Sequence, residues 1–364
     1  MIKTSNIVKI FLGSSCNFNC KYCIQNKLEN EVQCQPDYER IRNYLIKKKP
    51  TVAILWGGEP LLYWDNFVKT AKMVKEILPD CHLTTISNGS LLTQDKVDFI
   101  NEYNIGYGIS CDGRHTAKLR GRNVLEDEKI RSLFLQIKNP GILTVLTPLN
   151  IDIYKDVWGY FDELLGRWVN VNIDPVKNCT DLDVFRPTEE EYQKYKEMIA
   201  TIGKNFLKSV EANDFNSREY IFFEPIIFMM KRRLDNPVET PYLYCGHGHN
   251  VITIDLQGNV YTCNNSGKII GTIEHDLTAN AKINSMIKWQ GECKFCQFKT
   301  ICNPATCHVL SDRERQEECK LIKPIYEEVL KCLEYLAAND IVSKLKPVEC
   351  KVSRTGQFYS TDDV

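Results

Sequence analysis

Between residues 8 and 210 the sequence alternates short β-branched or apolar runs with longer amphipathic stretches, and this alternation restricts the fold more than any other feature. Strand–helix units repeated in series build a parallel sheet covered by helices. Six units are legible, with strands over residues 8–12, 52–56, 83–87, 105–110, 142–147 and 169–173, each followed by a helical pattern such as 67–78 or 192–210. Six consecutive right-handed units suit a curved partial barrel or an open doubly wound sheet, and length does not choose between them.

An apolar stretch over 220–230 leads into a polar, proline-marked segment, 235–244, that reads as a linker. Beyond it the periodicity stops. Residues 245–319 hold few long apolar runs but include a hairpin-like piece, 251–255 and 260–262 around Gln257-Gly258. Such a segment has little core of its own, so bound metal would have to supply folding energy. Residues 321–338 read as an amphipathic helix and 346–364 as a polar tail. At 364 residues the chain exceeds what one core usually encloses. The expected division is a catalytic α/β domain over 1–234, a small cysteine-rich domain over 235–320, and a terminal helix and tail over 321–364.

The 46 basic and 47 acidic residues give a net charge of −1, which provides no general attraction to nucleic acid or an acidic membrane surface. Residues 1–8 lack the apolar region of a signal peptide, and no stretch approaches the roughly 20 apolar residues needed to span a bilayer. A cytoplasmic protein is expected. In a reducing compartment its 16 cysteines call for a reason other than disulfides, and cysteines at short spacings there usually bind metal. Three lie between Cys16 and Cys23 and seven between Cys245 and Cys319; Cys34, Cys81, Cys111, Cys179, Cys332 and Cys350 are isolated, as small core hydrophobes usually are.

Cys16, Cys20 and Cys23 form a C-x3-C-x2-C loop directly after the first strand. Three thiolates so close can hold three irons of a cubane and leave the fourth open to a small molecule. The alternatives are a zinc site, which usually wants a fourth protein ligand, or incidental cysteines. The run CNFNCKYC, with Tyr22 before the last cysteine, resembles the signature of the radical S-adenosylmethionine (radical SAM) superfamily. The resemblance implies a partial (β/α)6 TIM barrel whose open iron binds the amino and carboxylate groups of S-adenosylmethionine. Reductive cleavage would then release a 5′-deoxyadenosyl radical, with Tyr22 lying against the adenine.

Gly57, Gly58, Glu59 and Pro60, at the end of the second strand, resemble the family's segment that contacts the methionine amino group. Glycines let backbone approach a ligand closely, and Glu59 offers an acceptor for a cation. Ligands in parallel α/β folds bind at the C-terminal strand ends, where Asn88, Ser110, Asp112 and the Asp174-Pro175 pair also fall. By resemblance, Ser110 and Asp112 would contact the ribose or the carboxylate, Arg122 or Arg120 the carboxylate, and Asn88 the same cofactor.

Cys245, Cys263, Cys293, Cys296, Cys302, Cys307 and Cys319 resemble the seven-cysteine SPASM domain found on radical SAM enzymes that mostly modify peptides. Four residues separate Cys302 from Cys307 where three are usual, and Gly271-Thr272-Ile273 resembles a short run common after the second cysteine. A pair of zinc knuckles is the alternative on spacing alone. The family's interleaved pattern would give Cys245, Cys263 and Cys307 to one auxiliary [4Fe–4S] cluster and Cys293, Cys296, Cys302 and Cys319 to another. The fourth iron of the first would be open, or capped by Cys179, His247 or His249.

These resemblances imply a maturase of ribosomally made peptides that forms a thioether or carbon–carbon crosslink. Its partners would be a flavodoxin- or ferredoxin-type reductant and, since the barrel begins near Val8 without a fused peptide-recognition domain, a separate leader-binding protein. Anaerobic sulfatase-maturing enzymes typically carry an aspartate base after the second SPASM cysteine, where this sequence has Asn264, an amide that cannot accept a proton. A non-catalytic electron-transfer protein is the reading from another class.

Overall fold

The computed structural model describes residues 6–23, 25, 35–176, 186–237, 240–241, 243 and 245–347. Cys34, Cys179 and Cys350 lie outside them. Among the described residues nine strands form one sheet: β1 (Ile7–Phe11), β2 (Val52–Trp56), β3 (His82–Ser87), β4 (Gly106–Ser110), β5 (Pro140–Leu146), β6 (Asn170–Pro175), β7 (Val251–Asp255), β8 (Asn259–Tyr261) and β9 (Ile269–Thr272). Their order is β6-β5-β4-β3-β2-β1-β7-β8-β9, and β1 to β6 pair in parallel throughout. The first six neighbour one another in chain order with no reversal, as in a barrel; a doubly wound sheet would reverse at a switch point. β6 does not close onto β1, so the barrel is partial.

Burial explains the strand sequences. Every residue of β1, Ile-Val-Lys-Ile-Phe, is buried, as expected of a parallel strand covered on both faces. Lys9 is the exception in that apolar run, only 5% exposed.

The segment after residue 235 joins this sheet. β7 pairs in parallel with β1, Ile7 opposite Val251 and Phe11 opposite Asp255. The hairpin then turns at Gly258, whose φ of +87° suits glycine. Asp255 Oδ1 accepts from the Gln257 and Asn259 amides, both at 2.9 Å, and so fixes the turn. The main apolar cluster runs from Val8 to Leu336 and Leu345.

The last helix spans Asp312–Ala338. It begins nine residues before the apolar period becomes legible, because Ser311 and Glu314 form a capping box ahead of polar first turns. It packs on the helices Glu189–Ala212 and Arg218–Asp235, with the Tyr195 hydroxyl donating to the Leu321 carbonyl at 2.7 Å. The cysteine-rich segment is therefore held between an extension of the barrel sheet and a helix resting on the barrel's own helices. Among the described residues no helix is long and apolar enough to cross a membrane.

Candidate active site

Parallel pairing puts the C-terminal ends of β1 to β6 on one rim, where their loops surround a cavity of about 300 Å³. Cys16, Cys20 and Cys23 line it from the loop after β1. The Lys21 amide donates to the Leu119 carbonyl at 3.0 Å and anchors the loop to the segment beyond β4. Burial, against the lowering pull of Arg120 and with smaller help from Cys23, Asp112 and Cys16, pushes the Cys20 thiol up to about 11. Cys16 is also raised, chiefly by burial. Crowded, desolvated thiols of this kind ionise together only when a cation offsets their charge, so this donor set fits an iron cluster. Among the described residues no three His, Cys, Asp or Glu side chains surround a single-ion position. A cubane asks each thiolate for a different iron.

Gly57 and Gly58 line the cavity, but the structure gives a different reason for their being glycine. A Cβ on Gly57 would lie 2.6 Å from the Gly13 carbonyl oxygen, and one on Gly58 2.2 Å from that of Ser15. The two glycines let the β2 loop lie against the cysteine loop, where the Gly58 and Glu59 amides donate to Gly13 and Ser15 at 3.0 and 2.9 Å. Close approach is between protein loops.

That contact fixes Glu59, which is 1% exposed. Its carboxylate accepts from the Leu61 amide (3.0 Å), the Ser87 hydroxyl (2.7 Å) and the Asn88 amide (2.7 Å). Burial raises its carboxyl above the ordinary range, and the three bonds work against that rise. It makes no ion pair with a described residue. A buried carboxylate held only by neutral donors is suited to receive a cation. Asn88 also faces the cavity, its side chain donating to Asn17 Oδ1 at 2.8 Å and approaching the Cys16 sulfur at 3.9 Å.

Beside the cysteine loop, Tyr22 and Arg120 line the cavity above Asp112. Asp112, with no exposed surface, accepts from Arg120 Nε and Nη2 at 2.8 and 2.9 Å, from the Tyr22 hydroxyl, and from the Val145 amide at 2.9 Å. The Arg120 guanidinium stands 5.3 Å from the Tyr22 ring centre. Asp112 is thus expected to hold two wall residues in place, where the sequence reading gave it direct contact with the cofactor. Arg122 is not among the residues lining the cavity: its side chain is 59% exposed and 3.5 Å from Asp127, because glycine at 121 turns the chain outward after Arg120. Ser110 does line the cavity. Asp112→Ala should destabilise the protein by about 3–5 kcal/mol, since it strands the buried Arg120 charge. Denaturant unfolding of the metal-free chain would measure this.

Cys245, Cys263 and Cys307 line the same cavity. Burial pushes Cys263 up to about 11 and Cys307 to about 12; Cys245 raises both. Cys293, Cys296, Cys302 and Cys319 gather outside this cavity. Burial raises Cys319 with Cys296 and Cys293 adding to it, and raises Cys302 with Glu318, Cys319 and Cys293 adding. The structure therefore brings the later cysteines together as three and four. Cys81, Cys111 and Cys332 are buried apart from both groups. His249 is exposed, whereas His247 is buried on the cavity wall.

Lys9, Asn303 and His308 also line the cavity and were not singled out from the sequence. Lys9 donates to Asn264 Oδ1 at 3.1 Å. Its signal was present: a lone lysine inside an otherwise apolar strand.

A parallel partial barrel with a three-cysteine loop and an uncompensated acid at its rim has the features of a radical SAM site. Residues 10–133 match the family model described as Radical SAM superfamily, so this part of the chain carries a radical SAM domain. It is 20% identical over 307 residues to the radical SAM cyclopropyl synthase TigE of Paramaledivibacter caminithermalis, covering 78% of this chain and 62% of that protein. It is 24% identical over 269 residues to an S-adenosylmethionine-dependent nucleotide dehydratase of a Fibrobacter species, covering 60% and 75%. The chain thus spans under two thirds of the first relative's length.

Among solved structures, native anSMEcpe with bound AdoMet and Kp18Cys peptide superposes with a TM-score of 0.66 at 17% identity, covering 92% of this chain and 99% of that one. Streptococcus suis SuiB bound to precursor peptide SuiA gives 0.56 at 16%, covering 84% and 72%. At such identities these likenesses establish a shared fold.

Proposed function

We propose that the chain is a maturase of a ribosomally synthesised peptide, removing hydrogen from a side chain or α carbon and forming a thioether or carbon–carbon crosslink. One observation carries the reading: the cysteine group of the barrel loop and that of Cys245, Cys263 and Cys307 open onto one cavity. A substrate held there would be reached by a radical from one group and could give up an electron to the other. In this reading the first group holds a [4Fe–4S] cluster with S-adenosylmethionine, and the later groups hold two auxiliary [4Fe–4S] clusters. When bound and reduced, the first would supply the electron that cleaves S-adenosylmethionine into methionine and a 5′-deoxyadenosyl radical.

The protein's part is binding and orientation. Glu59 would receive the ammonium of the methionine moiety and Arg120 its carboxylate, while the Tyr22 ring, held by Asp112, would lie against the adenine. Trp56, Leu243 and Leu310 give the cavity an apolar lining that excludes water from the reacting carbon. Precursor-peptide recognition by SuiB and the peptide in anSMEcpe favour a peptide substrate here too. A flavodoxin- or ferredoxin-type reductant and a separate leader-binding protein complete the reading, with the cytoplasm as its compartment.

The sulfatase-maturing alternative is disfavoured by Asn264, which faces the cavity and is held by Lys9 where a base would be needed. The non-catalytic electron carrier is disfavoured by Glu59, since a carrier has no use for a cation-binding carboxylate beside its cluster. The test is to look for short reading frames beside the gene and to assay any peptide they encode in anaerobic turnover with S-adenosylmethionine and a low-potential reductant. A product lighter by two hydrogens, formed together with 5′-deoxyadenosine, is expected. If 5′-deoxyadenosine forms while no neighbouring peptide changes mass, the peptide assignment fails.

A further inference from the structure

The cavity is also lined by a histidine to which the reading above gives no task. His247 is 2% exposed and faces the cavity together with Cys245, Cys263 and Cys307. It is gripped by its own loop: Gly246 and Gly248 have φ of +78° and +83°, so the chain folds tightly on either side of it. A Cβ on Gly246 would lie 2.3 Å from Asn250 Oδ1, and one on Gly248 2.6 Å from Asn284 Oδ1. Neither position has room for a side chain.

The ring is satisfied on one side only. Nε2 lies 2.9 Å from the Thr253 hydroxyl on β7, whereas Nδ1 is buried without a hydrogen-bond partner among the described residues. An orphaned polar atom in such a place is destabilising unless something binds it. When Nε2–H donates to Thr253, Nδ1 presents a lone pair. Metal-bound histidines are held in this way, with their second nitrogen fixed by a protein acceptor. Three thiolates leave one iron of a cubane without a protein donor.

We propose that Nδ1 of His247 is the fourth protein ligand of the cluster held by Cys245, Cys263 and Cys307, with Thr253 as the positioning residue. The inference rests on the cluster reading above and deepens it. Ligation donates a lone pair and involves no redox change. Its consequence is a closed coordination sphere: this cluster accepts an electron from the substrate radical and does not bind a substrate thiolate. Any thiol entering a crosslink is then held by side chains of the cavity. His249 is exposed and outside the cavity. His308, whose two ring nitrogens also lack partners among the described residues, is the competing donor.

The test uses the full chain carrying Cys16→Ala, Cys20→Ala and Cys23→Ala, reconstituted anaerobically with iron and sulfide so that only auxiliary clusters form. Pulsed EPR of the reduced protein should show a directly coordinated nitrogen whose coupling changes on 15N-histidine labelling. The coupling should vanish in His247→Cys, where a thiolate keeps the iron content unchanged, and persist in His249→Ala. Thr253→Val should alter the coupling without loss of iron. A spectrum without nitrogen coupling overturns the proposal, as does a coupling that survives His247→Cys and disappears in His308→Ala. A chain that takes up no iron overturns the cluster reading itself.

Discussion

Replacing Cys16, Cys20 and Cys23 together by alanine is expected to bring 5′-deoxyadenosine formation to background while auxiliary iron remains, a fall from about twelve irons per chain to about eight. The separation follows from geometry. The three cysteines sit on the loop after β1, whereas the later ones depend on β7, β8 and the helix Asp312–Ala338 for their placement. Truncating the loop thiols leaves those supports untouched. The loop itself stays tethered by the Lys21 amide to Leu119 and by the Gly58 and Glu59 amides to Gly13 and Ser15. Iron and sulfide assay with chromatography of the nucleoside product checks both halves. Cofactor cleavage by the triple variant would place the reactive cluster elsewhere.

Glu59→Gln is expected to weaken S-adenosylmethionine binding roughly ten- to a hundredfold with the loop iron unchanged. The amide keeps the shape but loses a charge-assisted bond worth about 1.5–3 kcal/mol. The same substitution should also destabilise the metal-free protein by about 1–3 kcal/mol, because one carboxylate oxygen becomes an NH2 that faces either the Leu61 and Ser87 donors or the Asn88 amide. Burial raises the Glu59 carboxyl, so the native state holds its proton more firmly than the unfolded chain does. Stability from this group is then present at low pH and lost as pH rises beyond the ordinary carboxylate range. Glutamine removes that loss, so the variant's melting temperature should fall less than the parent's over the same rise. Anaerobic calorimetry and pH-dependent melting measure the two effects. Unchanged affinity would show that the cation is held elsewhere.

The six barrel strands were legible within two residues because β-branched runs bounded by turn residues mark covered parallel strands. Whether they curve into a barrel was not, since the answer lies in the neighbour order across the sheet. Nor was the parallel pairing of β7 with β1, because a hairpin pattern shows only the pairing of its own two arms. The last helix did carry its signal, the Ser311 and Glu314 capping box, but its polar first turns hide the apolar period. At the site, spacing brought the ten cysteines into view, and resemblance marked Glu59. What separated Arg120 from Arg122 was one turn of chain at Gly121, and what separated His247 from His249 was burial. Those distinctions arise from packing and have no counterpart in composition or period.

The account turns on an iron at the Cys16, Cys20 and Cys23 loop that lacks a protein donor and accepts the amino group of S-adenosylmethionine. The most direct measurement is electron–nuclear double resonance on the reduced, anaerobic protein with S-adenosylmethionine carrying 15N at its amino group. The account predicts a 15N coupling to a reduced [4Fe–4S] cluster that disappears in the Cys16→Ala, Cys20→Ala, Cys23→Ala variant. A loop that holds zinc, or a reduced cluster with no coupling to that nitrogen, would contradict it.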